Sequence, residues 1–173
     1  MMMTSWLWAL ALSTNCYAGL VAAPDVLLRQ KHSTTAVIRP INILLTDQEA
    51  KDVEKSIGFE FKDRIFSFFS IYDKDKLLGY AGLLTRRIRT KDQTALYSIS
   101  AQGEIQEIEL IAFYEPPEYK PRADWLAQFK GKQDDSSLRL RNEIRVVTGA
   151  TLTAQSFVQG SKLILAVWQK KKP

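Results

Sequence analysis

Residues 65–113 read IFSFFSIYDKDKLLGYAGLLTRRIRTKDQTALYSISAQGEIQEIELIAF, and this stretch decides the fold. Runs rich in β-branched and aromatic residues alternate with polar or glycine-containing turns, which is the pattern of successive strands. The predicted strands are 65–72, 77–89, 94–100 and 105–113. Because the connections between them are short, we expect an antiparallel meander.

Helices are predicted on both sides of this stretch. Residues 46–49, TDQE, have the form of a capping box and predict a helix over 47–57 that stops at Gly58. A short helix is predicted to end at Gly131. Apolar residues between 154 and 168 recur at the spacing of a long amphipathic helix. The predicted fold class is α+β, a single domain with a four-stranded antiparallel sheet and helices packed on it.

The composition excludes several classes of chemistry. The 173 residues include one cysteine, Cys16, and one histidine, His32, so the chain can form no internal disulfide and no Cys/His zinc cluster. A Ser-His-Asp triad would have to be built on His32 alone. The formal net charge is +5, but the basic residues are spread out and carry no recognition motif, which argues against a nucleic-acid partner. Redox chemistry would therefore need a bound organic cofactor.

The amino terminus has the character of a targeting signal. Residues 1–24 carry no charged side chain, and residues 6–12 form an unbroken apolar run. This run is too short to cross a bilayer, which takes about 20 residues, but it suits the apolar region of a secretory signal. Small residues at the −3 and −1 positions precede Gly19. We predict a signal peptide over 1–18 and a mature domain over 19–173, periplasmic or otherwise extracytoplasmic; a retained membrane anchor is the alternative.

The segment 148–153, TGATLT, stands directly before the predicted long helix. Gly149 and Ala150 have little or no side chain, so their amides can approach a ligand closely. The first N–H groups of a helix lack intrahelical partners and favour a phosphate. Thr151 and Thr153 supply hydroxyls, and the alternative interpretation is that one of them is an ordinary N-cap.

This segment resembles the flavinylation motif of the FMN-binding domain family, whose members include components of the sodium-translocating NADH:quinone reductase and of the Rnf complex. Residues 77–81, Glu115 and residues 125–132 also resemble that family, and the likeness covers about residues 45–168. In the family, a flavin transferase that uses FAD as donor joins FMN through a phosphoester to the last Thr of the motif. The resemblance implies that this residue is Thr151.

The resemblance also implies the rest of an FMN site. Its residues are Thr148, Gly149, Ala150, Leu152 and Thr153 beside the tether, Tyr114 as a wall for the ring, Glu115 facing the polar edge of the ring, and Lys132 neutralising the phosphate. The chain departs from the family at Arg145, where the family usually has Asp. If the transferase reads that Asp, the alternative is a protein of the same fold that holds FMN non-covalently, or an adaptor that binds another ligand or partner without flavin.

The function that the resemblance implies is electron transfer outside the cytoplasm. An exported protein meets little free FMN, so a covalent bond would keep it loaded where mass action would empty a non-covalent site. Its partners would be the flavin transferase and redox donor and acceptor proteins, including membrane-bound ones. Whether such a protein counts as an enzyme stays open, since an electron carrier is favoured over a stand-alone oxidoreductase.

Overall fold

The computed structural model describes residues 23–134, 136–146 and 149–173. The predicted signal peptide 1–18 and Thr148 of the motif therefore lie outside the described residues. The elements are α1 (Pro24–His32), β1 (Val37–Leu44), α2 (Asp47–Ile57), β2 (Ile65–Asp73), β3 (Lys76–Arg87), β4 (Asp92–Ser100), β5 (Ile105–Phe113), α3 (Ala123–Leu126) and α4 (Thr151–Lys171). A short 3-10 turn, Pro117–Tyr119, precedes α3, and another, Ala127–Phe129, follows it.

Within the described residues, five strands form one antiparallel sheet in the order β1-β2-β3-β4-β5. The predicted meander is confirmed, but the predicted number of four strands is wrong. The additional strand, β1, pairs with β2 along its whole length. It lies at the edge of the sheet, where the missing N–H of Pro40 is tolerated. Its sequence did not reveal it, because Arg39 and Pro40 interrupt the alternation of apolar residues.

The helix α2 forms as its capping box predicts. The Thr46 hydroxyl accepts a hydrogen bond from the Glu49 amide at 3.3 Å, and the Glu49 carboxylate accepts one from the Thr46 amide at 2.8 Å. The helix ends at Gly58, whose φ of +78° favours glycine. Lys171 Nζ, at the end of α4, lies 2.6 Å from Glu49 Oε1 at the start of α2. The two helices therefore run antiparallel, side by side.

The long helix α4 packs across β3 and forms the main core together with α2 and one face of the sheet. Phe157 and Ile164 of this helix are fully buried. Gly82 of β3 lets the helix come close, because a Cβ atom there would lie 2.9 Å from Cδ1 of Ile164. The predicted amphipathic helix is confirmed, and its first residue is Thr151.

The opposite face of the sheet is covered in part by α1. Leu28 of α1 is fully buried there, in a second apolar cluster that includes Ile38 and Ile71. Lys31 forms ion pairs with Glu107 and Glu109 of β5. In the described part of the chain, we find no helix with the length and apolar character needed to span a membrane.

Candidate functional site

The start of α4 lies open, and no side chain caps it. Ala150 occupies the N-cap position and makes no side-chain hydrogen bond to the helix, so neither Thr151 nor Thr153 is an ordinary N-cap. Gly149 takes a φ of +81°, and a Cβ atom placed on it would meet nothing within 4 Å. Thr151 is exposed, whereas Thr153 is buried. A hydroxyl is thus presented to solvent at the first residue of the helix.

The electrostatics at this end of α4 favour an anion. The helix is 21 residues long and has no acidic residue in its first turn. Its first amides have no intrahelical acceptor, and the helix dipole places partial positive charge beside them. A phosphate bound at Thr151 would meet these donors without displacing an existing cap.

A groove of about 570 Å³ runs from Thr151 along the outer side of α4. Gln155 and Gln159 form one wall on the same helix face as Thr151. Arg139 and Arg141 come from the segment that leads into the motif. The volume is in the range of sites that hold small organic ligands.

Tyr114 and the loop that joins β3 to β4 lie at the same end of the sheet. Tyr114 is 52% exposed and donates its backbone N–H to the Asp92 carbonyl at 3.2 Å. With Arg87 and Lys91 it lines a second cavity, of about 470 Å³. Leu152, next to Thr151, is 43% exposed. Tyr114 and Leu152 therefore have free apolar surface at this end of the molecule.

Glu115 is buried and has a defined structural role. Its Oε1 accepts hydrogen bonds from the backbone amides of Arg89, Thr90 and Lys91, at 3.0, 2.9 and 2.8 Å. These bonds hold the pKa of its carboxyl below the usual range, and the bond from Lys91 contributes most. They also explain why β3 ends at Arg87 and not at the predicted residue 89, since the following amides turn towards the carboxylate.

Comparison with known proteins supports the resemblance inferred from the sequence. Residues 91–166 match the family model of the FMN-binding domain. That segment belongs to the FMN-binding domain family. The whole chain is similar to the G component of the Na(+)-translocating ferredoxin:NAD(+) oxidoreductase complex of Acetobacterium woodii, with 27% identity over 93% of this chain and 84% of the relative. FMN is thus the cofactor that the family assigns to this chain.

The fold has a solved counterpart. The structure is similar to the crystal structure of NqrC from Shewanella oneidensis, with a TM-score of 0.55 and 15% identity over 79% of this chain and 85% of that one. At this identity the likeness concerns the fold. The FMN-binding domain therefore belongs to a known α+β architecture, and the roles of its residues have to be argued from the site itself.

A buried polar layer beneath the start of α4 fits a polar cofactor nearby. Gln93 of β4 is 1% exposed, and its Nε2 donates to Ser156 Oγ at 2.9 Å, while its Oε1 has no hydrogen-bond partner. Ser156 lies about 7.5 Å along the helix axis from Thr151. A buried acceptor without a donor is costly, and the hydroxyl and imide groups of FMN are donors. Sequence reasoning missed this pair, because its two residues are far apart in the chain.

The FMN-binding domain holds Lys132 at some distance from Thr151. The Lys132 carbonyl accepts a hydrogen bond from the Ile105 amide at the start of β5. The adjacent Gln133 carbonyl accepts one from Gln169, which lies about 27 Å along α4 from Thr151. The nearest acid to Lys132 Nζ is Glu143, at 3.7 Å. The structure thus brings Thr151, Leu152 and Tyr114 to one end of the molecule, and it does not bring Lys132 to Thr151.

Arg145, which replaces the usual Asp of the family, is held by two neighbouring side chains. Its backbone N–H and its Nε both donate to Gln128 Oε1, at 2.9 and 3.3 Å. Its carbonyl accepts a hydrogen bond from Trp125 Nε1 at 2.6 Å. Arg145 thus helps to fix the segment that leads into the motif, while its side chain remains exposed.

Proposed function

We propose that this protein is an extracytoplasmic electron carrier whose FMN is joined to Thr151 by a phosphoester. The family match and the relationship to a component of a membrane redox complex support electron transfer. When bound, FMN supplies one- and two-electron redox chemistry. The protein residues position the cofactor and limit its contact with water.

One observation carries the proposal. Thr151 is the first residue of a long helix, its hydroxyl side is exposed beside a groove, and no side chain caps the amides around it. A nucleophilic oxygen here is accessible to a transferase, and a phosphate on it would be stabilised by the helix amides. Had Thr151 been buried like Thr153, no tricyclic ring could be attached to it.

The remaining contacts follow from the residues at the same end of the fold. The amides of Gly149 and Ala150 suit the phosphate because neither residue carries a bulky side chain. The exposed faces of Tyr114 and Leu152 are suited to the flavin ring. Glu115 acts through the loop it holds, since the amides of residues 89–91 already occupy one of its oxygens. Lys132 is left out of the proposed site because of its distance.

We infer a carrier without substrate chemistry of its own. His32, the histidine of the chain, ends α1 on the face of the sheet opposite to α4. It therefore cannot serve as a general base at Thr151. The partners we propose are a flavin transferase for maturation and redox proteins that donate and accept electrons, which can be membrane-bound.

The proposal is tested by co-expressing the protein with a flavin transferase and measuring the intact mass. The wild type should gain the mass of FMN less one water and show the visible absorption of a flavin. Thr151→Ala should gain nothing, whereas Thr151→Ser, which keeps the hydroxyl, should be modified. An unmodified wild type under conditions that modify a known substrate of the transferase would refute the covalent attachment.

A further inference from the structure

The groove beside Thr151 has an unbalanced charge. We call it the cationic groove and define it by Phe59, Gln159, Arg139, Arg141 and Lys162. None of the described residues that line it is acidic. Neither Arg139 nor Arg141 forms an ion pair with a described residue, so no described acid neutralises their charges. The nearest acid in their segment, Glu143, is directed to Lys132 at 3.7 Å.

Arg141 is placed at the groove by an unfavourable backbone conformation. Its φ is +73°, a region that side chains other than glycine rarely adopt. Its N–H donates to the Ile144 carbonyl at 2.8 Å, and this bond closes a tight turn. Glycine would suit this turn better, so the arginine is retained against local backbone preference. Strain of this kind is often found where a side chain contacts a ligand.

A further cation stands behind the groove wall. The Arg86 guanidinium lies 5.6 Å from the centre of the Phe59 ring and donates to Gln159 Oε1 at 2.8 Å. Its Nε has no hydrogen-bond partner, and in the described chain Arg86 makes no ion pair. Phe59 and Gln159 both line the groove, so the positive potential of Arg86 extends into it.

The dimensions of the groove favour an extended chain over a small ion. Thr151 and Lys162 are about 17 Å apart along α4. A phosphate would reach one end of this distance, whereas about five residues of extended polypeptide span it. The apolar wall provided by Phe59 and Val158 suits hydrophobic side chains placed between acidic ones.

The geometry points to the cationic groove as a docking site for an acidic, partly apolar segment of a redox partner protein. This deepens the proposed function, on which it rests for the nature of the partner. The flavin ring is assigned to the Tyr114 and Leu152 side of α4, so the groove on the α2 side stays open when the flavin is attached. The partner would then sit beside the cofactor, which is where electron transfer requires it.

The test uses the flavin-free full domain and the acetylated peptide amide Glu-Leu-Glu-Glu-Leu-Glu, followed by NMR of the glutamine side-chain amides and by calorimetry. We expect binding that shifts the Gln155 and Gln159 signals and weakens at least threefold between 50 and 200 mM salt. Replacing each glutamate of the peptide by glutamine should abolish it. Inorganic phosphate at the same concentration should not displace the peptide; full displacement would indicate a small-anion site and overturn the proposal.

Variants separate the groove from overall charge. The pair R139E/R141E should weaken binding at least tenfold, whereas K74E/K76E, with the same change of charge at the other end of the sheet, should retain it. Arg141→Gly should fold at least as stably as the wild type while binding severalfold less tightly. Equal binding by R139E/R141E and K74E/K76E would overturn the proposal.

The flavinylated protein provides the last comparison. It should bind the peptide as the flavin-free protein does, because the ring is assigned to the other side of α4. Loss of binding on flavinylation would place the ring in the groove and refute the docking site, with the covalent attachment intact. Conversely, a wild type that takes up no flavin would refute the proposed function, and the peptide result would stand.

Discussion

Glu115 shows how a single buried side chain can organise the end of the sheet that carries the candidate site. Its carboxylate gathers three consecutive backbone amides, and bonds to a charged acceptor are stronger than bonds between neutral groups. We therefore expect Glu115→Gln to lower the denaturant midpoint of unfolding at pH 7. The matched control is Glu118→Gln, which removes an exposed charge three residues away and should leave the midpoint unchanged.

The pH dependence of this effect has a definite sign. The pKa of Glu115 is lowered in the folded state, so its contribution to stability is complete above the unfolded carboxyl pKa and is lost as the pH falls through the folded value. The difference in stability between wild type and Glu115→Gln should therefore shrink in acid. Urea denaturation at pH 7 and at pH 3 measures it. A difference that stays constant would mean that the charge of Glu115 is not what holds the loop.

The sequence predicted some of these residues and not the contacts between them. Thr151 could be placed at a helix start because a glycine precedes it and an amphipathic pattern follows. The three amides bound by Glu115 could not be predicted, because they depend on how a loop folds back over a neighbouring strand. The pairing of Gln93 with Ser156 likewise depends on how a helix is laid across a sheet. Local patterns contain no information on such distances.

At the scale of elements, the fit of α4 to the sheet depends on Gly160. A Cβ atom at Gly160 would collide with the hydroxyl of Tyr97, which is fully buried in β4. Alanine in a helix interior is otherwise favoured over glycine by about 1 kcal/mol, whereas overpacking costs about 1–3 kcal/mol. We expect Gly160→Ala to be destabilising on balance, because the colliding atom is held in the core. Thermal or chemical denaturation gives the sign.

A double-mutant cycle identifies the cause. Tyr97→Phe removes the oxygen that the new methyl group would strike, so in this background Gly160→Ala should cost less or become favourable. If the cost of Gly160→Ala is the same in both backgrounds, the glycine is needed for another reason than the approach of Tyr97.

Elements were predictable wherever the chain marks their ends. The strands β2 to β5 are separated by turn residues, and α2 begins with a capping box that the structure confirms. The strand β1 was missed because Pro40 and Arg39 obscure its alternation. The helix α1 has a weak pattern of its own and is recognised only from Leu28, which is buried against the sheet. Elements that depend on a neighbour for their definition are the ones that sequence patterns leave out.

At the scale of the whole molecule, ion pairs join the end of the chain to its first half. Lys170 Nζ lies 2.7 Å from Asp52 Oδ2, and Lys171 Nζ lies 2.6 Å from Glu49 Oε1. These contacts fix the carboxyl end of α4 against the start of α2. Since the candidate site stands at the other end of α4, its position depends on how the whole helix is held.

These pairs predict an acid-labile fold. The Lys171 ammonium and the Thr46 amide lower the pKa of Glu49 to about 2, and Lys170 and Gln48 lower the pKa of Asp52. Both carboxylates therefore stabilise the fold above their unfolded pKa values and cease to do so as the pH falls through the folded ones. Stability should decline steadily from about pH 5 towards pH 2.

The variant E49Q/D52N tests this origin of the acid lability. It should be less stable than the wild type at pH 7, but its stability should fall less steeply in acid, because two of the groups that take up protons on unfolding are gone. The control D75N/E118Q removes the same charge from exposed acids that form no ion pair with a described residue, and it should keep the wild-type slope. Both lysine pairs are exposed enough to be screened, so 1 M salt should narrow the gap between E49Q/D52N and the wild type at pH 7. Equal acid slopes in wild type and E49Q/D52N would show that other groups govern the decline, and the ends of α2 and α4 would then be held together by packing alone.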